Sequence, residues 1–171
     1  MLASNGESAH LSLKATESVE KSEIKQHDKH MDPVKNRKRK NNLPNLDRNL
    51  DKILKMSGKN RLSFKPHLKS SRGLHNGTSR RRSRFIGVLK NGFRWQVLIN
   101  VGRTKKYIGT YCEENEAALV HDFYAIGLNA TNAKTNFAYN EQSVTAMIQH
   151  YYENDCVFDP SQFLHVANQQ D

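Results

Sequence analysis

Gln96, Leu98 and Asn100 recur at every second residue, so any strand holding them presents all three on one face. That triplet has a definite chemistry. Gln and Asn can each pair bidentately with the N6/N7 edge of adenine, and an aliphatic side chain suits the thymine methyl. The same stretch supplies cations at Arg84, Lys90, Arg94, Arg103 and Lys105, with Tyr107 beside them. Immediately before it, Arg80, Arg81 and Arg82 form a dense basic run. Such groups grip phosphates without reading sequence, whereas base-edge contacts specify. The expected partner is a nucleic acid.

Other constellations offer less. His121 and Asp122 could form an acid–base pair, but adjacent helix residues point in different directions. With no nucleophile or cleft to serve, the pair reads as structural. His27 and His30 lack the two further ligands of a metal site. No phosphate-binding loop, dinucleotide fingerprint or nuclease motif is present. The expectation is therefore a non-enzyme with no cofactor and no metal.

The elements that must position the outward residues follow from periodicity. RFIGVLK and FRWQVLIN are strand-like runs separated by Asn91-Gly92, a strong hairpin signal. Alternation assigns Phe93, Trp95, Val97 and Ile99 to a core face and Arg94, Gln96, Leu98 and Asn100 to the opposite one. A third run, KKYIGTY, sends Ile108 inward and Lys105 and Tyr107 outward. One apolar face on three short strands needs a cover. Residues 113–128 supply it: acids in the first turn favour a helix start, and Ala117, Val120, Tyr124 and Gly127 form an apolar stripe. The predicted fold is α+β, a three-stranded antiparallel sheet packed on one α-helix over residues 80–137.

The flanks differ in charge. Residues 1–82 carry 20 Lys/Arg against 8 Asp/Glu, and residues 138–171 carry 5 acids and no Lys or Arg. With 36% hydrophobic residues and a mean hydropathy of −0.80, the chain cannot fill one core along its whole length. Residues 1–79 are expected to be mostly a disordered basic arm and linker. Within them Leu46, Leu50, Ile53 and Leu54 predict a short helix over 45–56, with Asn45 as its N-cap. Lys35, Arg37, Lys38, Arg39 and Lys40 have the composition of a nuclear import signal or of a phosphate-gripping arm. Cys112 and Cys156 form no metal pair or disulfide framework and read as reduced thiols of the cytosol or nucleus. No stretch has the roughly 18 apolar residues of a membrane span.

After the module, Val144, Met147, Ile148, Tyr151 and Tyr152 fall at i, i+3, i+4, i+7 and i+8, an amphipathic helix. Its apolar face either packs on the module or meets a protein partner or second copy through Val144, Met147, Ile148 and Tyr151.

The assembled pieces resemble the Apetala-two/ethylene-response-factor (AP-two/ERF) DNA-binding domain over residues 84–137. The matching motifs are RFIGV, FRW, YIGTY, EAALVHDFYAIGL and AKTNF, in order and at family spacing. The resemblance implies a sheet that lies in the major groove of double-stranded DNA, a helix behind it, and a nuclear transcription factor. It also marks departures. Ile86 and Leu89 stand where plant members carry arginine, Leu98 where they carry glutamate, and Asn100 where they carry arginine. Lys105 replaces an arginine and Tyr107 a tryptophan. The alternative reading is a DNA-binding module without strong sequence readout, architectural or derived from the targeting domain of a homing endonuclease.

Overall fold

The computed structural model describes residues 43–58, 62–67 and 83–168. The import-like run at Lys35–Lys40 and the triplet Arg80–Arg82 lie outside them. In chain order the elements are α1 (Leu46–Met56), β1 (Ser63–Phe64), β2 (Val88–Asn91), β3 (Arg94–Val101), β4 (Thr104–Tyr111), α2 (Glu114–Asn129), β5 (Tyr139–Asn140), α3 (Glu141–Glu153) and α4 (Leu164–Asn168). Short 3-10 turns at Ala130–Asn132 and Pro160–Phe163 complete the set.

Strands β2, β3 and β4 form the expected antiparallel sheet, in that order. Both hairpins turn on two residues whose first is glycine: Asn91 pairs with Arg94 around Gly92-Phe93, and Val101 with Thr104 around Gly102-Arg103. Gly92 has φ 60° and Gly102 φ 61°. Positive φ at the first central residue alone is the type II′ pattern, whose twist matches that of the flanking strands. The first turn thus falls one residue later than the Asn91-Gly92 dipeptide suggested. Phe93 is carried out of the strand into the turn. It is 100% exposed, not in the core where alternation placed it.

The core face behaves as its period demands. Val97 and Ile99 are buried, and Trp95 packs half-buried at the margin. Between Val97 and Leu98 the β3–β4 register shifts: Val97 opposes Gly109 while Leu98 opposes Tyr107. Ile108 is the extra residue of this bulge, and it goes inward while Tyr107 stays out.

Helix α2 is buried on every side from Ala117 to Gly127, more than a one-sided stripe requires. One side meets the sheet; the other meets α1, α4 and the 3-10 turn at Pro160–Phe163. Gly127 explains how α1 comes so near: a Cβ there would stand 2.4 Å from Leu46 Cδ1 and 3.1 Å from Leu50 Cδ2. Asn45, expected to cap α1, sits at φ 61° and makes no side-chain cap.

The fold changes one expectation from the sequence and decides between two alternatives in another. The stretch expected over 1–79 to be mostly disordered arm and linker contains β1, which pairs with β5 (Phe64 opposite Tyr139), and buries Leu62 and Phe64. Of the two readings of the Val144, Met147, Ile148 and Tyr151 face, packing is the one realised: all four are at most 2% exposed. Tyr151 lies 5.1 Å from the Phe123 ring, and Phe158 stacks on Phe123 at 4.3 Å. Apolar area already buried in the core is not open to association. No described helix is long and apolar enough to cross a membrane.

Candidate nucleic-acid interface

Cross-strand register decides which side chains share the outer face. Gln96 stands opposite Leu89 on β2 and Thr110 on β4; Leu98 stands opposite Tyr107, and Asn100 opposite Lys105. Directly opposed residues project to the same side. Gln96, Leu98, Asn100, Lys105 and Tyr107 are therefore brought together on one surface. Arg94 and Asn91 extend it toward the first turn, and Arg103 caps the second. Asn100, Arg103, Lys105 and Tyr107 are exposed, while Arg94, Gln96 and Leu98 are half-buried. Tyr107 and Thr110 hydrogen-bond through their hydroxyls at 2.8 Å.

Two candidates lie elsewhere. Lys90 pairs with Trp95, on the core side of the sheet, and its Nζ stands 5.1 Å from the Trp95 ring centroid. That cation–π contact holds it at the rim and away from Gln96. Arg84 precedes β2, with its guanidinium 4.7 Å from the Phe85 ring centroid and its backbone N–H donating to Glu114 Oε1 at 3.2 Å.

The face is electrostatically one-signed. Residues 84–112 contain six Lys/Arg, Arg84 included, and no Asp or Glu; the next acid is Glu113, just before α2. A surface built this way attracts polyanions and repels cations.

What holds this sheet in place was not legible as function. Asp122 is wholly buried within α2 and accepts at both oxygens. Oδ2 takes the backbone N–H of Asn136 at 2.7 Å and of Phe137 at 3.0 Å, and the Tyr139 hydroxyl at 3.0 Å. Oδ1 takes Asn136 Nδ2 at 2.9 Å and lies 3.1 Å from His121 Nδ1. Asn136 in turn clamps the backbone just before β2: its Oδ1 accepts from Ile86 N at 2.6 Å, and its Nδ2 donates to Ile86 O at 3.2 Å. Burial pushes the Asp122 carboxyl above its ordinary range, opposed by the bonds from His121, Asn136 and Phe137. Burial, with Asp122 as neighbour, also pushes the Tyr139 hydroxyl up. The pair weighed as acid–base chemistry is thus a buried fastening. Its one sequence signal is an acid in the middle of an otherwise apolar helix.

Among the described residues no group of three or more His, Cys, Asp or Glu is placed to hold a metal. Cys112 and Cys156 are free thiols.

Known proteins share this segment. The chain is 37% identical over 84 residues to the AP2-like ethylene-responsive transcription factor PLT2 of Arabidopsis thaliana, covering 47% of this chain and 15% of that protein. It is 33% identical over 93 residues to AIL7 of the same plant, covering 52% and 19%. To the ethylene-responsive transcription factor WRI1, also of Arabidopsis thaliana, it is 38% identical over 82 residues, covering 45% and 19%. The chain thus spans less than a fifth of the length of these three relatives. No family model matches the chain, and no solved structure does. With three antiparallel strands backed by α2, about half of the chain is similar to a segment of these AP2-like ethylene-responsive transcription factors.

Proposed function

We propose that this chain is a sequence-specific double-stranded DNA-binding transcription factor that acts in the nucleus and lays the outer face of β2–β3–β4 in the major groove. The observation that carries the proposal is the acid-free sheet face on which Gln96, Leu98, Asn100, Lys105 and Tyr107 stand side by side. The roughly 12 Å major groove admits β-strands, and two carboxamides on one face, with Leu98 between them, suit two base edges. Arg94, Arg103 and Lys105, with Arg84, Lys90 and the run Arg80–Arg82, supply the phosphate grip. The run Lys35–Lys40 serves import. The names of the relatives support regulation of transcription, and the reading contains no catalytic step and no cofactor.

Selection from random duplexes tests it. The full chain should enrich a defined, A·T-rich core, and Gln96→Ala or Asn100→Ala should each relax one position by about 5- to 150-fold, the equivalent of about 1–3 kcal/mol per bidentate pair. Replacing Arg80, Arg81 and Arg82 by Gln should leave the core unchanged and flatten the salt dependence by about 0.9 slope units for each phosphate no longer neutralised. A G·C-dominated core sinks the readout assigned to Gln96 and Asn100.

A second reading, DNA binding without strong readout, is favoured by one observation: among β2, β3 and β4 only Arg94 is an arginine. Equal affinity for all duplexes would select it.

A further inference from the structure

We infer that the sheet reads thymine through an apolar strip formed by Leu89, Leu98 and Tyr107, which receives the C5-methyl group. The inference rests on the duplex-binding function proposed above and names the chemical group that the face recognises.

Each strand contributes one member of the strip. Leu98 on β3 stands directly opposite Tyr107 on β4. Leu89 on β2 stands opposite Gln96, one diagonal step from Leu98 on the same face. Leu89 is 39% and Tyr107 57% exposed, and Leu98 is half-buried. Large apolar side chains left open in a row across three strands contribute little to this chain's own core. The hydroxyl of Tyr107 is already engaged with Thr110 Oγ1 at 2.8 Å, which fixes the ring along β4 and leaves it for apolar contact.

Charge identifies the occupant. The strip lies within a stretch, residues 84–112, that is rich in cations and holds no Asp or Glu, so its partner is a polyanion that also projects something apolar. In the major groove the thymine C5-methyl is the apolar group among the base-edge features. The neighbours of the strip fit the rest of the same base pair. Gln96, opposite Leu89, has the carboxamide that adenine N6/N7 requires, and Lys105, opposite Asn100, adds a cation on the same face.

Deoxyuridine tests this, because replacing thymine with it removes only the methyl and keeps the O4 acceptor and the base pairing. In the duplex selected by the full chain, each thymine is exchanged in turn. One or two exchanges should weaken binding about fourfold each, the equivalent of the roughly 0.8 kcal/mol of one buried methylene, while thymines outside the strip tolerate exchange. Leu89→Asn, at an exposed position where folding is not at stake, should bind thymine and deoxyuridine duplexes alike at one of those positions; Leu98→Asn should do so at the other. Wild-type protein that keeps its preferred site but ignores every exchange would overturn the methyl reading and leave DNA recognition standing. Absence of any preferred duplex would overturn both.

Discussion

Gly87 lies so close to His121 that a Cβ on it would stand 2.0 Å from His121 Cδ2 and 2.5 Å from Nε2. The same Cβ would come within 2.8 Å of Leu98 O, and Gly87 has φ 73°. Gly87 O also accepts from Leu98 N at 2.8 Å, so this residue joins the start of β2 to β3. Helix α2 and the sheet can approach only because nothing stands between the His121 ring and this backbone. Asp122 and Asn136 then fasten what that contact brings together.

Gly87→Ala should therefore destabilise the fold by about 2–4 kcal/mol, combining overpacking with left-handed strain. Denaturant midpoints would measure it. Leu98 O is backbone and cannot swing aside as the His121 ring can, so His121→Ala should restore only part of the stability. Full restoration would show that the ring alone sets the constraint.

Met147→Ala should cost about 2–5 kcal/mol, the range for truncating a buried side chain in a packed core. Sedimentation should show the same oligomeric state as the parent, because Met147 is buried within the fold and does not face a second copy. A change of oligomeric state at unchanged stability would reinstate the association surface that the fold removed.

Alkaline stability reports on the buried tyrosines. Burial raises the hydroxyls of Tyr111, Tyr139 and Tyr151 above the ordinary value of 10.0. With folded values raised, the unfolded chain loses these protons first. Their contribution is complete below about pH 10 and is lost as pH rises from there through the folded values. Tyr139→Phe should remove one proton from that slope, about 1.4 kcal/mol per pH unit where only the unfolded form is ionised. At neutral pH the variant should be less stable by about 1–3 kcal/mol, since Asp122 loses a buried donor. An unchanged alkaline slope would mean that the Tyr139 hydroxyl ionises as freely folded as unfolded.

The outer sheet face was legible because strand periodicity is local. Gln96, Leu98 and Asn100 must share a side wherever that strand lies, and Lys105 and Tyr107 join them from β4. Phe93 was misread for an equally local reason. Asn91-Gly92 and Gly92-Phe93 both allow a two-residue turn, and the second leaves the aromatic ring past the last core position. Lys90 was placed by composition on the charged face, whereas pairing with Trp95 sends it to the other side.

By itself the sequence determined the three strands, the glycine turns, the covering helix and the one-signed charge of the sheet. Each depends on dihedral preference or spacing within a few residues. Tertiary structure alone decided that α2 is enclosed on all sides by α1, α4 and the sheet. It also decided that β1 pairs with β5, and that Asp122 fastens the Asn136 segment to Ile86. Those outcomes depend on groups dozens of residues apart competing to leave water, and a buried carboxylate must find its donors wherever the fold brings them. The outer face of the three-stranded sheet was therefore written locally, and the frame that holds the sheet against its helix was not.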